Sequence, residues 1–189
     1  MRILITFLIL IFSLQSLTKA EDISDFEIEG MSVGDSLLDY YKKSLVDSEK
    51  EFPQWSNKKF TRFVSFKNLN HYDGILFYFE DNGDYLISSI SAIKRFPNNI
   101  DSCIEQKNQL TKEFKNIYNN YKTETYKSDH QADKTGGSKN IVIDFNFTDG
   151  TSSRIICTDW SDIMNLDDEL RVTLQSKEYT YFITNEAWK

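Results

Sequence analysis

Residues 75–93 read ILFYFEDNGDYLISSISAI, and this stretch decides the fold class. Two β-prone runs flank Asn82-Gly83, and an Asn-Gly pair in that setting is the strongest short-range signal of a β-hairpin. A two-residue type I′ turn places both central residues at positive φ, which asparagine and glycine tolerate. The stretch therefore predicts two antiparallel strands that are joined by a tight turn at Asn82-Gly83.

Strand signals recur on both sides of this hairpin. Residues 141–148 alternate apolar and polar side chains, as expected for a strand with one face in water. Asp149-Gly150 then predicts a turn into a returning strand. Counted along the chain, the further predicted strands are 23–28, 60–66, 141–148, 153–158 and 170–174.

Helical periodicity is clearest between residues 102 and 121. Cys103, Leu110, Phe114, Ile117 and Tyr121 follow one another at spacings of seven, four, three and four, which places them on one helix face. Two more helices are predicted, one after a capping-box pattern at Ser32 and Asp35 and one over 176–188. Short hairpins with helices on one face indicate the α+β class, here an antiparallel sheet of about five or six strands with two or three helices.

The polar segment TETYKSDHQADKTGGSK, residues 123–139, is predicted to be a long loop within a single domain. Asp129, His130 and Asp133 have metal-capable side chains, but a flexible loop is a poor cage, so no metal site and no cofactor are predicted. His130 remains a candidate ligand contact, with a solvated histidine as the alternative. Trp160, which acidic residues flank, is the second candidate, with a lid over the core as its alternative.

The first twenty residues have the organisation of a secretory signal. Arg2 precedes the apolar run 3–14, and Thr18-Lys19-Ala20 offers small residues at a cleavage site. The run is shorter than the roughly 20 residues that span a bilayer. We therefore expect a signal peptide over 1–20, an exported domain over 21–189 and a periplasmic or secreted location, with an uncleaved anchor as the alternative.

The net charge limits the classes of partner that are expected, and the cysteine content indicates the redox compartment. Removing Arg2 and Lys19 from the 22 basic residues leaves 20 against 29 acidic residues, a net charge of −9. A surface of that sign repels phosphate backbones, so nucleic-acid binding is not expected, and no further transmembrane segment is predicted. Cys103 and Cys157 predict a disulfide in an oxidising compartment, with two buried thiols as the alternative.

Gly34-Asp35-Ser36-Leu37 matches the block that begins GDSL-type esterases, where Ser36 would be the nucleophile. That family supplies its base from a D-x-x-H motif. The two histidines of this chain are His71 and His130, and Asn68 and Lys127 stand three places before them. Because a serine nucleophile needs an oriented base, a helix cap is the simpler reading of these letters, and no catalytic residue is predicted.

Residues 23–41, ISDFEIEGMSVGDSLLDYY, resemble the N-terminal signature of a family of small exported proteins of unknown function from marine bacteria. The similarity continues through Cys103, 130–139, 157–160 and 170–179. The resemblance implies bacterial export and a single domain, and it carries no activity. The expected function is a non-catalytic binding or envelope-associated protein whose partner is a small molecule or an envelope protein. The alternative is an esterase that uses Ser36.

Overall fold

The computed structural model describes residues 23–189, so the predicted signal segment 1–20 lies outside the described residues. Seven strands form one fully antiparallel sheet, which three α-helices accompany. The strands are β1 (Phe60–Ser65), β2 (Gly74–Glu80), β3 (Ile87–Phe96), β4 (Tyr121–Asp129), β5 (Lys139–Phe147), β6 (Ser152–Asp159) and β7 (Asp168–Gln175). The helices are α1 (Lys43–Glu49), α2 (Ile100–Ile117) and α3 (Lys177–Asn185). The α+β class is confirmed, with more strands than expected.

The strand order across the sheet is β1-β2-β3-β7-β6-β5-β4. Helix α2 carries the chain from β3 to the far edge, and the chain then returns strand by strand until β7 pairs with β3. The two halves of the sheet are therefore joined at its centre by the β3–β7 pair. Among residues 23–189, no helix is both long and apolar enough to cross a membrane.

The central hairpin of β2 and β3 is confirmed, but the predicted type I′ turn is wrong. Six residues connect the strands, and positive φ falls on Gly83 (99°) and Tyr85 (56°). The preceding segment explains this: Gly34 donates to Ile87 O, and Leu37 donates to Tyr85 O, 2.8 and 2.9 Å away. The carbonyl groups of Tyr85 and Ile87 therefore bond the preceding segment, whereas in a tight hairpin they would bond the opposite strand.

The predicted long loop over 123–139 is also wrong, because most of its first half is strand β4. Only residues 130–138 are loop. Strand β4 lies at the sheet edge, and all but Tyr121 and Tyr126 of its nine side chains are exposed. An edge strand with polar side chains on both faces carries no apolar alternation, so its sequence resembles a linker.

Three smaller expectations at element ends need correction. Residues 23–28 do not form a strand; they form a 3₁₀ turn at Ile23–Asp25, followed by a bridge between Ile28 and Met31. The helix predicted after Ser32 is delayed, since Ser36 caps only a 3₁₀ turn and α1 begins at Lys43. Helix α2 begins at Ile100, two residues before the predicted start, and Asn99 caps it by accepting the Ser102 amide on Oδ1 at 3.1 Å.

The sheet has two differently covered faces. The first face packs against α2 and the segment before α1, and it holds most of the core, including Phe77, Phe79 and Phe145. The predicted disulfide between Cys103 and Cys157 is confirmed and joins α2 to β6 in this layer. Tyr78 alternates with Phe77 and Phe79 and so points from the second face.

A separate small core lies on the second face. Helix α3 packs there through Tyr179 and Phe182 against Trp55, Phe60 and Tyr78. The expectation that all helices share one face is therefore wrong for α3. The apolar–polar alternation of the long strands requires only one buried face of the sheet. The sequence of α3 does not indicate which face of the sheet its aromatic residues cover.

Candidate functional site

The second face carries two rows of mixed apolar and polar side chains across its central strands. One row of the register aligns Ile93, Arg171, Ile156 and Val142 on β3, β7, β6 and β5. The next row aligns Ser91, Thr173, Arg154 and Asp144 on the same four strands. We call these eight residues the trough.

Helix α3 closes one end of the trough. Thr180 and Ser152 place their hydroxyl oxygens 2.9 Å apart at the start of β6. The preceding residue of the helix, Tyr179, stacks its ring on Tyr78 at 5.1 Å between centroids. The helix therefore lies across the strands from β6 towards β2, next to the row that contains Thr173.

The two predicted ligand contacts, His130 and Trp160, meet at the other end. Their ring centroids are 4.2 Å apart, although His130 follows β4 and Trp160 follows β6. His130 Nδ1 accepts the Ala132 amide at 3.2 Å, so a neutral imidazole carries its proton on Nε2. Burial, and next the charge of Arg171, lower the pKa of His130. His130 and Trp160 therefore form a neutral aromatic surface near Arg171.

The loop that presents His130 is organised by one buried carboxylate. Asp133 accepts the amide and hydroxyl of Thr135 at 2.9 and 2.6 Å, and those of Ser138 at 2.8 and 2.7 Å. The Ser161 hydroxyl adds a fifth bond at 2.7 Å. The hydroxyl groups of Thr135, Ser138 and Ser161 hold the pKa of Asp133 well below its usual range. Its oxygens are thus used within the protein, and they tie the loop to the residue after Trp160.

The structure does not assemble the metal-capable residues of this loop. Asp129 pairs with Lys139 at 2.6 Å, and Asp133 is saturated by hydroxyl and amide donors. Within residues 23–189, no group of three or more His, Cys, Asp or Glu side chains could hold a metal ion. The spacing of Asp133 and Thr135 indicates in the sequence that Asp133 organises the loop, since an Asp side chain typically bonds the backbone amide two residues further on.

The two trough arginines differ in how their donors are used. Arg154 bonds both oxygens of Asp144 through Nε and Nη2, the second at 2.8 Å. Arg171 donates from Nη2 to Glu169 at 2.8 Å. Its Nε is buried and has no hydrogen-bond partner among residues 23–189. Arg171 Nε therefore lacks the acceptor that Arg154 Nε has in Asp144.

Two more unpartnered polar atoms lie beside α3. Arg62 Nε and Ser89 Oγ are both buried without a partner among the described residues. Arg62 and Ser89 flank Tyr78 in the register of β1, β2 and β3. Burial raises the pKa of Tyr78, while the charges of Arg62 and Arg171 oppose that rise.

Ser36 lies far from either histidine. Its hydroxyl accepts the Leu38 amide at 3.3 Å and donates to Asp84 O at 3.2 Å, which makes it a cap. Ser36 bridges Leu86 at the hairpin end of β2 and β3. His71 precedes β2 and His130 follows β4, so both histidines are at the opposite end of the sheet.

Comparison with protein-family models, curated proteins and solved structures finds no match for this chain. The resemblance to exported marine-bacterial proteins therefore stays a prediction. What the trough can do follows from its chemistry: the half-buried Ile93 and Ile156 offer apolar contact, and the partly exposed guanidinium group of Arg171 offers hydrogen-bond donors. Ser36 acts as a cap, and the Asp133 carboxylate is saturated by hydroxyl and amide donors, so neither is placed for reaction chemistry.

Sequence reasoning did not identify Arg171 or Arg154. Arg171 lies between Leu170 and Val172, and Arg154 precedes Ile155, so each arginine has the pattern of a polar residue on the wet face of a strand. The available signal was one arginine on each of β6 and β7, but the strand register is needed to see that they lie in adjacent rows of the same face.

Proposed function

We propose that the protein is an exported, non-catalytic binding protein whose ligand lies in the trough between α3 and the His130–Trp160 pair. The observation that carries this proposal is the buried, unpartnered Nε of Arg171 beside Ile93 and Ile156. An unpaired buried donor costs about 1–3 kcal/mol, and a ligand acceptor would recover that cost. Ligand sites commonly combine apolar walls with a few such polar groups.

Export is supported by the disulfide and the predicted signal segment. Disulfides persist in oxidising compartments and are rare in the cytosol. The test is the intact mass of the protein isolated from the periplasm of its source. A mass of residues 21–189 less two hydrogens is expected. A full-length mass in the cytosolic fraction would contradict export.

A non-catalytic role is supported by the cap at Ser36 and by its separation from His71 and His130. Hydrolysis of short p-nitrophenyl esters should stay at the level of an unrelated protein. Ser36→Ala is the decisive variant, because it removes the one nucleophile that the esterase alternative uses. Ester hydrolysis that disappears in Ser36→Ala would make the esterase the working function.

Binding in the trough is tested by native mass spectrometry of the protein as purified from its source. We expect a retained small molecule that is lost from Trp160→Leu and Arg171→Met. Trp188→Leu is the matched control, since Trp188 is 69% exposed and lies beyond α3. A retained mass that all three variants keep would place the ligand elsewhere and overturn the trough as its site.

A further inference from the structure

The two edges of the sheet differ in how their backbone groups are used. At the β1 edge, Glu51 and Arg62 donate their amides to each other's carbonyl groups at 2.8 and 2.7 Å, and the Thr61 hydroxyl donates to Glu51 O. At the opposite edge, β5 is the one strand that pairs with β4 among residues 23–189. An edge strand with unpaired amides and carbonyls is a template for a further strand. The β4 edge, nine residues against six for β1, is such a template.

Two hydrogen bonds at the ends of β4 show which of its backbone groups point outward. His130 donates its amide to Ser138 O at 3.0 Å, and Asn120 O accepts the Thr148 amide at 3.2 Å. Both pairs continue the β4–β5 register, so the even-numbered residues of β4 bond β5. Because hydrogen-bonded and non-hydrogen-bonded pairs alternate in an antiparallel ladder, the odd-numbered residues direct their amides and carbonyls away from the sheet. These residues are Tyr121, Thr123, Thr125, Lys127 and Asp129.

The charge of β4 differs from that of the whole protein. The strand sequence YKTETYKSD contains two lysines and two acidic residues, so its formal net charge is zero. The chain as a whole has a net charge of −7. Two copies of an acidic protein repel each other over most of their surfaces, and this repulsion is smallest where a neutral strip meets another. The β4 edge is therefore the edge that suits a second copy of this chain.

One antiparallel register of β4 with itself pairs every outward amide and carbonyl of the strand. It places Thr125 opposite Thr125 of the second copy, on a two-fold axis normal to the sheet. No opposed pair carries two like charges, which would be destabilising. A slip of two residues in one direction opposes Glu124 with itself, and a slip in the other direction leaves Tyr121 unpaired. In the favoured register the other opposed pairs are Tyr121–Asp129, Lys122–Ser128, Thr123–Lys127 and Glu124–Tyr126.

We infer that β4 pairs antiparallel with β4 of a second copy, so that two seven-stranded sheets become one continuous sheet. The interface is isologous, because the same strand contributes to both sides of the axis. Backbone hydrogen bonds hold the two strands together, as in other cases of strand addition at a sheet edge. An interface of one strand from each copy is small, so the dimer forms reversibly and at high protein concentration. This inference does not depend on a ligand in the trough.

Sedimentation equilibrium of the purified protein, from micromolar to near-millimolar concentration, measures this association. We expect the mass to rise from that of the monomer towards that of the dimer. Thr125→Pro should stay monomeric throughout, because proline removes an outward amide and is tolerated where that amide faces solvent. Thr125→Val is the matched control and should dimerise, since valine keeps the amide and favours a strand.

Cysteine substitution tests the register. Thr125→Cys should form an intermolecular disulfide in air, because the Cα atoms of a hydrogen-bonded antiparallel pair lie about 5.5 Å apart, within disulfide range. Thr123→Cys is the control, since Thr123 is exposed on the same face of the same strand. Its two copies would be offset by four residues, about 13 Å, so it should not cross-link. The native bridge between Cys103 and Cys157 is fully buried and does not compete.

The outcomes decide the inference in either direction. If the urea midpoint shows that Thr125→Pro disturbs the fold, Thr125→Lys replaces it, because it opposes two ammonium groups on the axis and should also give a monomer. A wild-type protein that is monomeric at near-millimolar concentration would overturn the inference and identify the charges of β4 as protection of a free edge. A dimer that persists in both variants, or equal cross-linking of Thr123→Cys and Thr125→Cys, would also overturn it.

Discussion

The rings of His130 and Trp160 lie 4.2 Å apart and connect the ends of β4 and β6 across the start of β5. The contact depends on Asp133, whose carboxylate bonds Ser138 on one side and Ser161 on the other. One buried acid therefore positions both candidate ligand contacts. This relationship determines how the end of the trough responds to pH and to substitution.

His130 should make the protein less stable as the solution becomes mildly acidic. Burial lowers the pKa of His130, so the unfolded state takes up a proton first as pH falls below about 6.5. Urea unfolding at about pH 7.5 and about pH 5.5 should show a smaller loss of stability in His130→Gln than in the wild type. His71→Gln is the control, since His71 is 80% exposed. An identical loss in His130→Gln and the wild type would contradict this prediction.

Asp133→Asn should destabilise the loop 130–138 and lower the urea midpoint at neutral pH. Because the pKa of Asp133 is lowered in the folded protein, its carboxylate contributes its full stabilisation at pH values above the ordinary carboxyl pKa. That stabilisation is lost as the pH falls below the ordinary carboxyl pKa. The difference between the variant and the wild type should therefore shrink at about pH 3. Asp129→Asn is the matched control, because Asp129 is 70% exposed and pairs with the exposed Lys139. Equal effects of the two substitutions would refute the role of Asp133.

Much of the fold could be predicted from the sequence, because the information was local. The alternation in 141–148 and the helical stripe through Cys103 and Phe114 each depend on a single element burying one side. The disulfide followed from compartment and cysteine number. Strand β4 could not be predicted, since pairing with β5 alone leaves its polar side chains in water and imposes no apolar pattern.

The candidate site could be predicted only in part. His130 and Trp160 were recognisable as unusual residues in polar loops, but nothing in the sequence indicated that they touch. Arg171 could not be chosen over Arg154, because the difference is which donors find a carboxylate, and that depends on side-chain positions. The register that aligns Arg171 with Ile93 is likewise a property of the β3–β7 pair, which joins distant parts of the chain.

Glu29→Gln should loosen the loop between β1 and β2. The Glu29 carboxylate accepts the successive amides of Asn70, His71 and Tyr72 at 2.9, 2.6 and 3.2 Å. Burial alone would raise the pKa of Glu29, but these backbone bonds lower it overall. Hydrogen exchange of the three amides should accelerate in Glu29→Gln and stay unchanged in Glu27→Gln. Unchanged exchange in Glu29→Gln would show that the loop is held by other contacts.

Removing the disulfide by Cys103→Ala with Cys157→Ala should lower the free energy of unfolding by about 2–4 kcal/mol. The bridge spans 54 residues of sequence, and a long closed loop restricts the unfolded chain strongly. Both cysteines are fully buried, so a thiol reductant should act on the folded protein far more slowly than on the urea-unfolded protein. Rapid reduction of the folded protein would contradict the burial on which this expectation depends.

Lys107→Met should stabilise the protein at neutral pH, by about 1 kcal/mol or more. Lys107 lies on the inward side of α2 with Cys103 and Phe114 and is only 5% exposed. Burial lowers the pKa of Lys107, which means that the folded state disfavours the charged amine. Below the pKa that Lys107 has in the folded protein, the amine is charged in both the folded and the unfolded state, and the full cost of burying the charge applies. This cost disappears as the pH approaches the pKa of the unfolded state, about 10.4. The advantage of Lys107→Met over the wild type should therefore shrink between about pH 7 and about pH 10 in urea unfolding.

Lys112→Met, an exposed change on the same helix, should have little effect at either pH. A Lys107→Met protein that is less stable than the wild type at neutral pH would show that the amine contributes favourable contacts that outweigh its burial.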